Sequence, residues 1–379
     1  MEHLISNNLL TDRQHGFVKG RSTLTALIEI VESIIDSLEN GDSVIGIFVD
    51  MSKAFDCLSH EKVIAKLHTL GVQGVALNWF KSYLKGRNQL VEITENNNGT
   101  INNVRSTLLP ITRGVPQGSV LGPVLYILAT NDLPSAVEPF SRATMYADDT
   151  ALFTSNKLIE NLEINAYIGL SLAVEFCNGH DLVFNASKTQ QVSFGSKKSL
   201  ICNLPDIATT SSLKHLGVIL DENLTWDEHI DEMCYKLNTA IFALKRTVRI
   251  STEEATLTAY YALFESVLAY GIVLWGSSAQ HLQRVLMLQK RAIRTMAGLS
   301  TMDSCRPVFK SWRILTVIDI FIFHSLTLVN SQKIKRHDQI HAHNTRHGFD
   351  YNLPTHRTKR CEERSSYLCA NFLTPYQKN

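Results

Sequence analysis

Two short β-favouring runs, residues 142–147 and 150–154, have only Asp148-Asp149 between them, which reads as a strand-turn-strand with adjacent carboxylates at its tip. Like charges side by side in a half-buried turn destabilise a fold unless a cation neutralises them. Oxygen-only ligands suit a hard ion such as Mg2+. Taken alone the pair is equally an ordinary solvated turn, because Asp is common in turns for reasons unrelated to chemistry.

A second acidic position lies upstream. Residues 43–49 (Ser-Val-Ile-Gly-Ile-Phe-Val) form a nearly continuous apolar run of buried-strand length, and Asp50 sits at its end. If the two elements pair in one sheet, Asp50 and Asp148 face each other across the gap of roughly two metal ions, about 3.5–4 Å apart. A third segment, Gly114-Val115-Pro116-Gln117-Gly118-Ser119-Val120-Leu121-Gly122-Pro123, sets glycines and prolines around one Gln and then opens a helix. Glycine lets a backbone approach a ligand closely, and a helix start offers free N–H groups to an anion. The same pattern also describes a plain loop with a helix cap.

In this order the segments resemble the reverse transcriptase family, most closely its non-LTR retrotransposon (LINE-like) branch. Phe48-Val49-Asp50-Met51-Ser52-Lys53-Ala54-Phe55-Asp56 is similar to motif A, Val115 to Pro123 to motif B, and Tyr146-Ala147-Asp148-Asp149 to motif C. Phe184-Asn185-Ala186-Ser187-Lys188-Thr189 is similar to motif D and Leu213-Lys214-His215-Leu216-Gly217 to the primer-grip motif E. Gly16-Phe17-Val18-Lys19-Gly20-Arg21-Ser22-Thr23 resembles a fingers motif, with Val18 where an Arg more often follows the Phe.

The resemblance implies an RNA-directed DNA polymerase that joins deoxynucleoside triphosphates to a DNA primer on an RNA template, with two Mg2+ ions. It casts Asp50, Asp148 and Asp149 as metal-binding and catalytic, Asp149 as a turn cap or a supporting carboxylate, and Lys188 as proton donor or pyrophosphate partner. Phe55, five positions after Asp50, takes the steric-gate place under the sugar. Gln117 and Gly118 line the nucleotide pocket, and Lys214, Leu216 and Gly217 lie against the primer. Without the resemblance, Phe55 reads as a core aromatic and Lys188 as a surface lysine. A noncatalytic nucleic-acid-binding remnant of such an element is the alternative. A metal-dependent nuclease would also use clustered carboxylates, but it explains neither the Gln117 loop nor Lys188. Relatives carry a further fingers segment and an apurinic-type endonuclease, so the expectation is a truncated copy. The family's habit of priming at a chromosomal nick implies an intracellular, nuclear setting.

Composition agrees. A chain of 379 residues, 44% hydrophobic and 19% charged, can bury more than one core. The net charge of +1 is small for a nucleic-acid enzyme, but binding depends on where charge lies rather than on its sum. Arg284, Lys290, Arg291, Arg294, Arg306, Lys310 and Arg313 have only Asp303 for acidic company, so a helix face there either tracks a phosphate backbone or is simply solvated. Seven cysteines without a Cys-x-x-Cys pair argue for a reducing compartment. Cys361 and Cys369 near His341, His343, His347 and His356 match no standard zinc spacing. No signal peptide is evident at the amino terminus. The apolar stretch 314–329 is interrupted by Asp319 and His324, so it reads as a core helix and no membrane partner is expected.

The periodicity predicts helices after Ser22 and Ser59 and over 75–84, 121–131 and 158–177, with strands near 182–184 and 191–194. An exposed hairpin is expected from 89–93 and 104–109 around the Asn-rich 96–103, turning at Asn98-Gly99. This is an α+β layer, the palm of a right-hand polymerase with partial fingers, followed by an all-α thumb. The expected divisions are partial fingers 1–43, palm 44–84, hairpin insertion 85–112, palm 113–221, helical thumb 222–300 and a basic helical region and tail 301–379.

Overall fold

A strand buried on both faces is apolar along nearly all its length, and Ser43–Val49, polar only at Ser43, is such a strand: all seven of its residues are buried. In the computed structural model it forms the middle of a five-stranded sheet, whose order is Ala208–Thr209, Gln190–Phe194, Ser43–Val49, Asp149–Asn156, Arg142–Tyr146. The structure describes residues 2–97 and 100–331, together with His356, Thr358, Glu362, Arg364, Tyr367 and Leu368. The contacts divide the chain into two compact units. One comprises Met1–Ala26, Val44–Ser193 and Lys197–Thr210; the other comprises Leu27–Ser43, Phe194–Ser196 and Ser211–Asn379.

In the first unit, alternate residues of the sheet, Ile45, Ile47 and Val49 with Ala143, Met145 and Leu152, share one core with apolar residues of Leu121–Ala129 and Ile159–Gly179. The opposite face of the same strands carries Phe48 and Phe153, their rings edge to face at 5.8 Å. Each fully buried Leu or Ile contributes about 1.5–3 kcal/mol, so the alternation fixes which strand face meets the helices. Ser59 caps His60–Thr69 by accepting from Lys62 N at 3.5 Å, and Gly71, at φ 85°, ends it as expected.

The insertion hairpin differs from expectation in extent. Glu92–Asn97 pairs with Thr100–Arg105 straight through the Asn-rich segment, and Asn88–Gln89 pairs separately with Leu109–Pro110. Both faces of this ribbon are solvated, with Ile93 and Ile101 exposed, so no apolar alternation marked its strands. Cross-strand polar contacts such as Thr94 Oγ1 donating to Asn103 Oδ1 at 3.0 Å support it instead. The Asn98-Gly99 turn lies outside the described residues.

The second unit takes in most of the helix Thr23–Glu39; its last segment starts with the hairpin Ser212–His215 and Val218–Asp221 and continues in helices, the longest there being Asp227–Ile250 and Ala279–Ala297. Asp221 closes the connection: its carboxylate accepts from the backbone N–H groups of Asn223, Thr225 and Trp226 at 2.8–3.0 Å. Gln289, fully buried, donates to Tyr260 Oη and Leu315 O and accepts from Val317 N, all at 2.9 Å, and so ties three helical segments with no polar group wasted. The core helix expected from the apolar stretch is Val317–Ser331, and Asp319 belongs to its start, where it and Thr316 cap each other. Among the described residues no helix is long and apolar enough to cross a membrane. The described cysteines Cys57, Cys177, Cys202, Cys234 and Cys305 carry free thiols. His341, His343, His347, Cys361 and Cys369 lie outside the described residues; His356 contacts Glu362 at 2.8 Å.

Candidate functional site: an acidic hairpin tip and a cationic helix face

The acidic hairpin closes as tightly as its spacing demands. Tyr146 pairs with Asp149, leaving Ala147 and Asp148 as the two-residue loop, and Ala147 takes φ 58° because such turns need a left-handed residue. Asp148 is half-buried, whereas Asp149 begins the next strand and keeps access to solvent. The strand that ends at Val49, immediately before Asp50, is the direct neighbour of Asp149–Asn156 in the sheet. Asp50, two residues beyond Phe48, and Asp149, four residues before Phe153, fall by strand alternation on the face that carries those two rings, opposite the helix-covered core.

The electrostatics follow from that neighbourhood. Burial pushes the Asp148 carboxyl up, its own backbone N–H partly offsets this, and Asp50 raises it further. Asp149 is raised by burial first, then by Asp148 and by Asp50. Two adjacent carboxyls held up by burial and by the Asp50 charge form, with Asp50, the kind of oxygen donor set that a hard divalent cation neutralises. Among the described residues, no group of three or more His, Cys, Asp or Glu side chains is gathered to hold a metal ion as it stands. The chemistry of the set fits such an ion, which Asp50, Asp148 and Asp149 would close upon.

Phe55 lies beyond Asp50 in the short helix Ala54–Cys57, half-buried against Tyr126, their ring centroids 4.6 Å apart. Tyr126 is fully buried on the helix Leu121–Ala129, donates to Met51 Sδ at 3.4 Å, and has its hydroxyl pKa raised, first by burial and then by Asp148. Val115 N donates to Phe55 O at 2.9 Å, and Gly114 N donates to Leu58 O at 2.8 Å. Gly114, at φ 80°, leaves no room for a side chain, since a Cβ there would stand 2.7 Å from Asp56 O. Gln117 and Gly118 are exposed on the same loop; Gln117 donates to Asp56 Oδ1 at 3.0 Å, and Gly118, at φ 77°, faces open space. The loop, Phe55 and the strand end bearing Asp50 thus form one assembly.

Lys188 is brought toward the same strand end through the backbone. Asn185 N donates to Asp50 O at 3.0 Å, Asp50 N donates to Thr189 Oγ1 at 3.3 Å, and Lys188 sits exposed between these two anchors. Two residues outside the motifs quoted above also bear on the acidic hairpin: Gln14 Oε1 accepts from Ala147 N at 3.0 Å, and the hydroxyl of Tyr126 feels the Asp148 charge. Neither has a pattern that announces it: Tyr126 reads as one more apolar helix position, and Gln14 as one polar residue in an irregular segment.

The residues that the resemblance sets against the primer, Lys214, Leu216 and Gly217, belong to the second unit. Leu216 and Gly217, both at positive φ, form the turn of the 212–221 hairpin, and Leu216 O accepts from Tyr270 Oη at 2.5 Å. Lys214 is paired with Glu232 at 2.6 Å, and Lys236 reaches the same carboxylate. On Ala279–Ala297 the cations divide into two sides. Arg284 binds Asp231 at 2.5 Å and Arg291 donates to Asn238 at 3.1 Å, both partners on Asp227–Ile250. Lys290 and Arg294, with Arg306, line a cavity of about 390 Å³ together with Leu286 and Phe309; Arg294 Nε also donates to Asp303 O at 2.9 Å, and among the described residues no carboxylate lines the cavity.

Residues 1–220 match the family model described as reverse transcriptase (RNA-dependent DNA polymerase). The chain is 29% identical over 322 residues to the RNA-directed DNA polymerase from mobile element jockey of Drosophila melanogaster, covering 79% of this chain and 34% of that protein. It is 28% identical over 366 residues to the probable RNA-directed DNA polymerase from transposon BS of the same organism, covering 90% of this chain and 39% of that one. The chain thus spans little more than a third of these curated relatives. Among solved structures, apo telomerase from Candida tropicalis aligns with a TM-score of 0.42 at 12% identity, covering 84% of this chain and 55% of that chain.

Proposed function

The chain belongs to the reverse transcriptase family, in its non-LTR retrotransposon branch, and from that premise we propose that it adds deoxynucleotides to a DNA primer 3′-hydroxyl on an RNA template. The observation that carries the proposal is the placing of Asp148 and Asp149 at the tip of a hairpin whose second strand neighbours the strand ending just before Asp50, near enough for the Asp50 charge to raise both carboxyls.

Joining a hydroxyl to a triphosphate brings two anionic partners together, so positioning and charge neutralisation dominate the barrier. Two Mg2+ ions held by Asp50 and Asp148, with Asp149 beside them, would lower the hydroxyl's pKa and stabilise the departing pyrophosphate. Phe55, supported from behind by Tyr126, lies under the incoming sugar and excludes a ribose 2′-hydroxyl. Gln117 and Gly118 offer an amide and an unobstructed backbone to the nucleotide, and Lys188 serves the leaving group as proton donor or counter-charge. Lys214, Leu216 and Gly217 follow the primer, with Lys214 exchanging Glu232 for a phosphate.

A noncatalytic nucleic-acid-binding role is favoured by one observation, the absence among the described residues of a ready-grouped ligand set. One assay separates the two. Purified protein should extend a DNA primer on an RNA template in Mg2+, and Asp148→Ala should abolish extension while duplex binding stays measurable. Extension at the unsubstituted rate in that variant would sink the site assignment; binding without extension in both proteins would favour the remnant.

A further inference from the structure

Gln14 is 1% exposed, and its Oε1 accepts from two backbone donors at once, Gly16 N at 2.7 Å and Ala147 N at 3.0 Å. The segment that carries it runs alongside the hairpin: Met145 N donates to Arg13 O and His15 N to Met145 O, both at 2.8 Å, bridging Gln14 to Met145 in parallel. Contact is too close for a side chain, since a Cβ on Gly16 would fall 2.4 Å from Ala147 N. Ala147 itself is held at φ 58°, a conformation that the tight turn demands but that costs an alanine roughly 1–2 kcal/mol, so an added anchor on its N–H helps to keep it there.

The same side chain is a poor choice for packing alone. Its Nε2 is buried and has no hydrogen-bond partner, a burden that a methionine of similar size would not carry. What methionine lacks is the acceptor oxygen. Without it the N–H groups of Gly16 and Ala147 would both lose their partner, and the left-handed residue before Asp148 would lose its anchor.

We infer that Gln14 is a positioning residue for the acidic tip: its side-chain oxygen holds Ala147 in the left-handed conformation and so sets the direction in which the Asp148 and Asp149 side chains leave the turn. The functional half of this rests on the polymerase reading above; the structural half does not. Gln14 acts through Ala147, and its removal should spoil the chemical step rather than the binding of either substrate.

The test follows amide exchange in the metal-free full chain, with single-turnover primer extension in Mg2+ alongside. Gln14→Met should speed exchange at the Ala147 amide tenfold or more while leaving amides of Ile159–Gly179 unchanged. It should also slow extension at saturating nucleotide by tenfold or more, with the template-primer Kd and the nucleotide KM unmoved. Gln14→Glu, which keeps an acceptor oxygen, should restore protection at Ala147. An Ala147 amide unprotected in the unsubstituted protein, or a Met variant that extends at full rate, would overturn the assignment. Should the Met variant fail to fold, the unsubstituted protein and the Glu variant still decide, because fast Ala147 exchange in either overturns it. If no primer is extended by any form while Ala147 is protected and Gln14→Met releases it, the polymerase reading fails and the anchoring role stands.

Discussion

Phe55 meets two demands with one ring. One face packs on Tyr126 inside the first unit, and the half-exposed remainder lies beside the strand end that bears Asp50. Truncation should therefore act twice. Phe55→Ala is expected to destabilise the unit by about 1–3 kcal/mol, less than a wholly buried Phe would, and to raise the ratio of ribo- to deoxynucleotide incorporation. Competitive incorporation assays read the second effect independently of the first. A lower melting temperature with an unchanged ratio would return Phe55 to the core and deny it the gate. At this scale the acidic pair was legible because spacing alone isolates it, whereas Gln14 was not: a lone buried amide leaves no period for a reader to find.

Helix Ala279–Ala297 separates its cations by side. Arg284 is matched by Asp231, a largely solvated pair worth at most about 1 kcal/mol, whereas Lys290 and Arg294 sit one turn apart at the carboxylate-free cavity shared with Arg306. Like charges at that spacing weaken a helix unless an anion sits over them. If this side follows a phosphate backbone, Lys290→Glu with Arg306→Glu should weaken template-primer binding about tenfold and flatten the slope of log affinity against log salt by roughly 2. Arg284→Ala should leave both unchanged, since its guanidinium is already engaged. Identical salt slopes in the double variant and the parent would assign this face to solvent. The basic composition of this region was readable from sequence, but the division into sides was not. It depends on Asp231 and Asn238, carried by a helix more than fifty residues earlier in the chain.

Across the whole molecule, the buried strand Ser43–Val49 and the helices with plain apolar periods were legible because burial imposes their patterns directly. The solvated ribbon 92–105 and the pairing of Lys214 with Glu232 were not, since neither rests on a burial period. Acid should expose a further whole-chain property. Burial lowers His215 to about 4 and His229 to about 4, the latter partly opposed by Glu232, and His229 Nδ1 accepts from Ile219 N at 3.5 Å, as a neutral ring must. The unfolded chain takes up these protons near pH 6.5 and the folded chain only near 4. The contribution to stability is therefore complete above pH 6.5 and lost as pH falls toward 4, about 2 kcal/mol per ring by pH 5. Urea midpoints at pH 7.5 and pH 5 measure it, and His229→Gln should remove part of the difference. Equal midpoints would refute the neutral-ring account.

Gly16 and Gly114 are crowded by backbone atoms of Ala147 and of Asp56 respectively, so neither site admits any side chain. Every first- or second-position change in a glycine codon installs one or ends the chain. A copy of this gene drifting without selection can thus lose its active geometry through one nucleotide at either place while all three acidic codons stay intact. Surviving aspartates alone are for that reason a weak sign that such a copy still works.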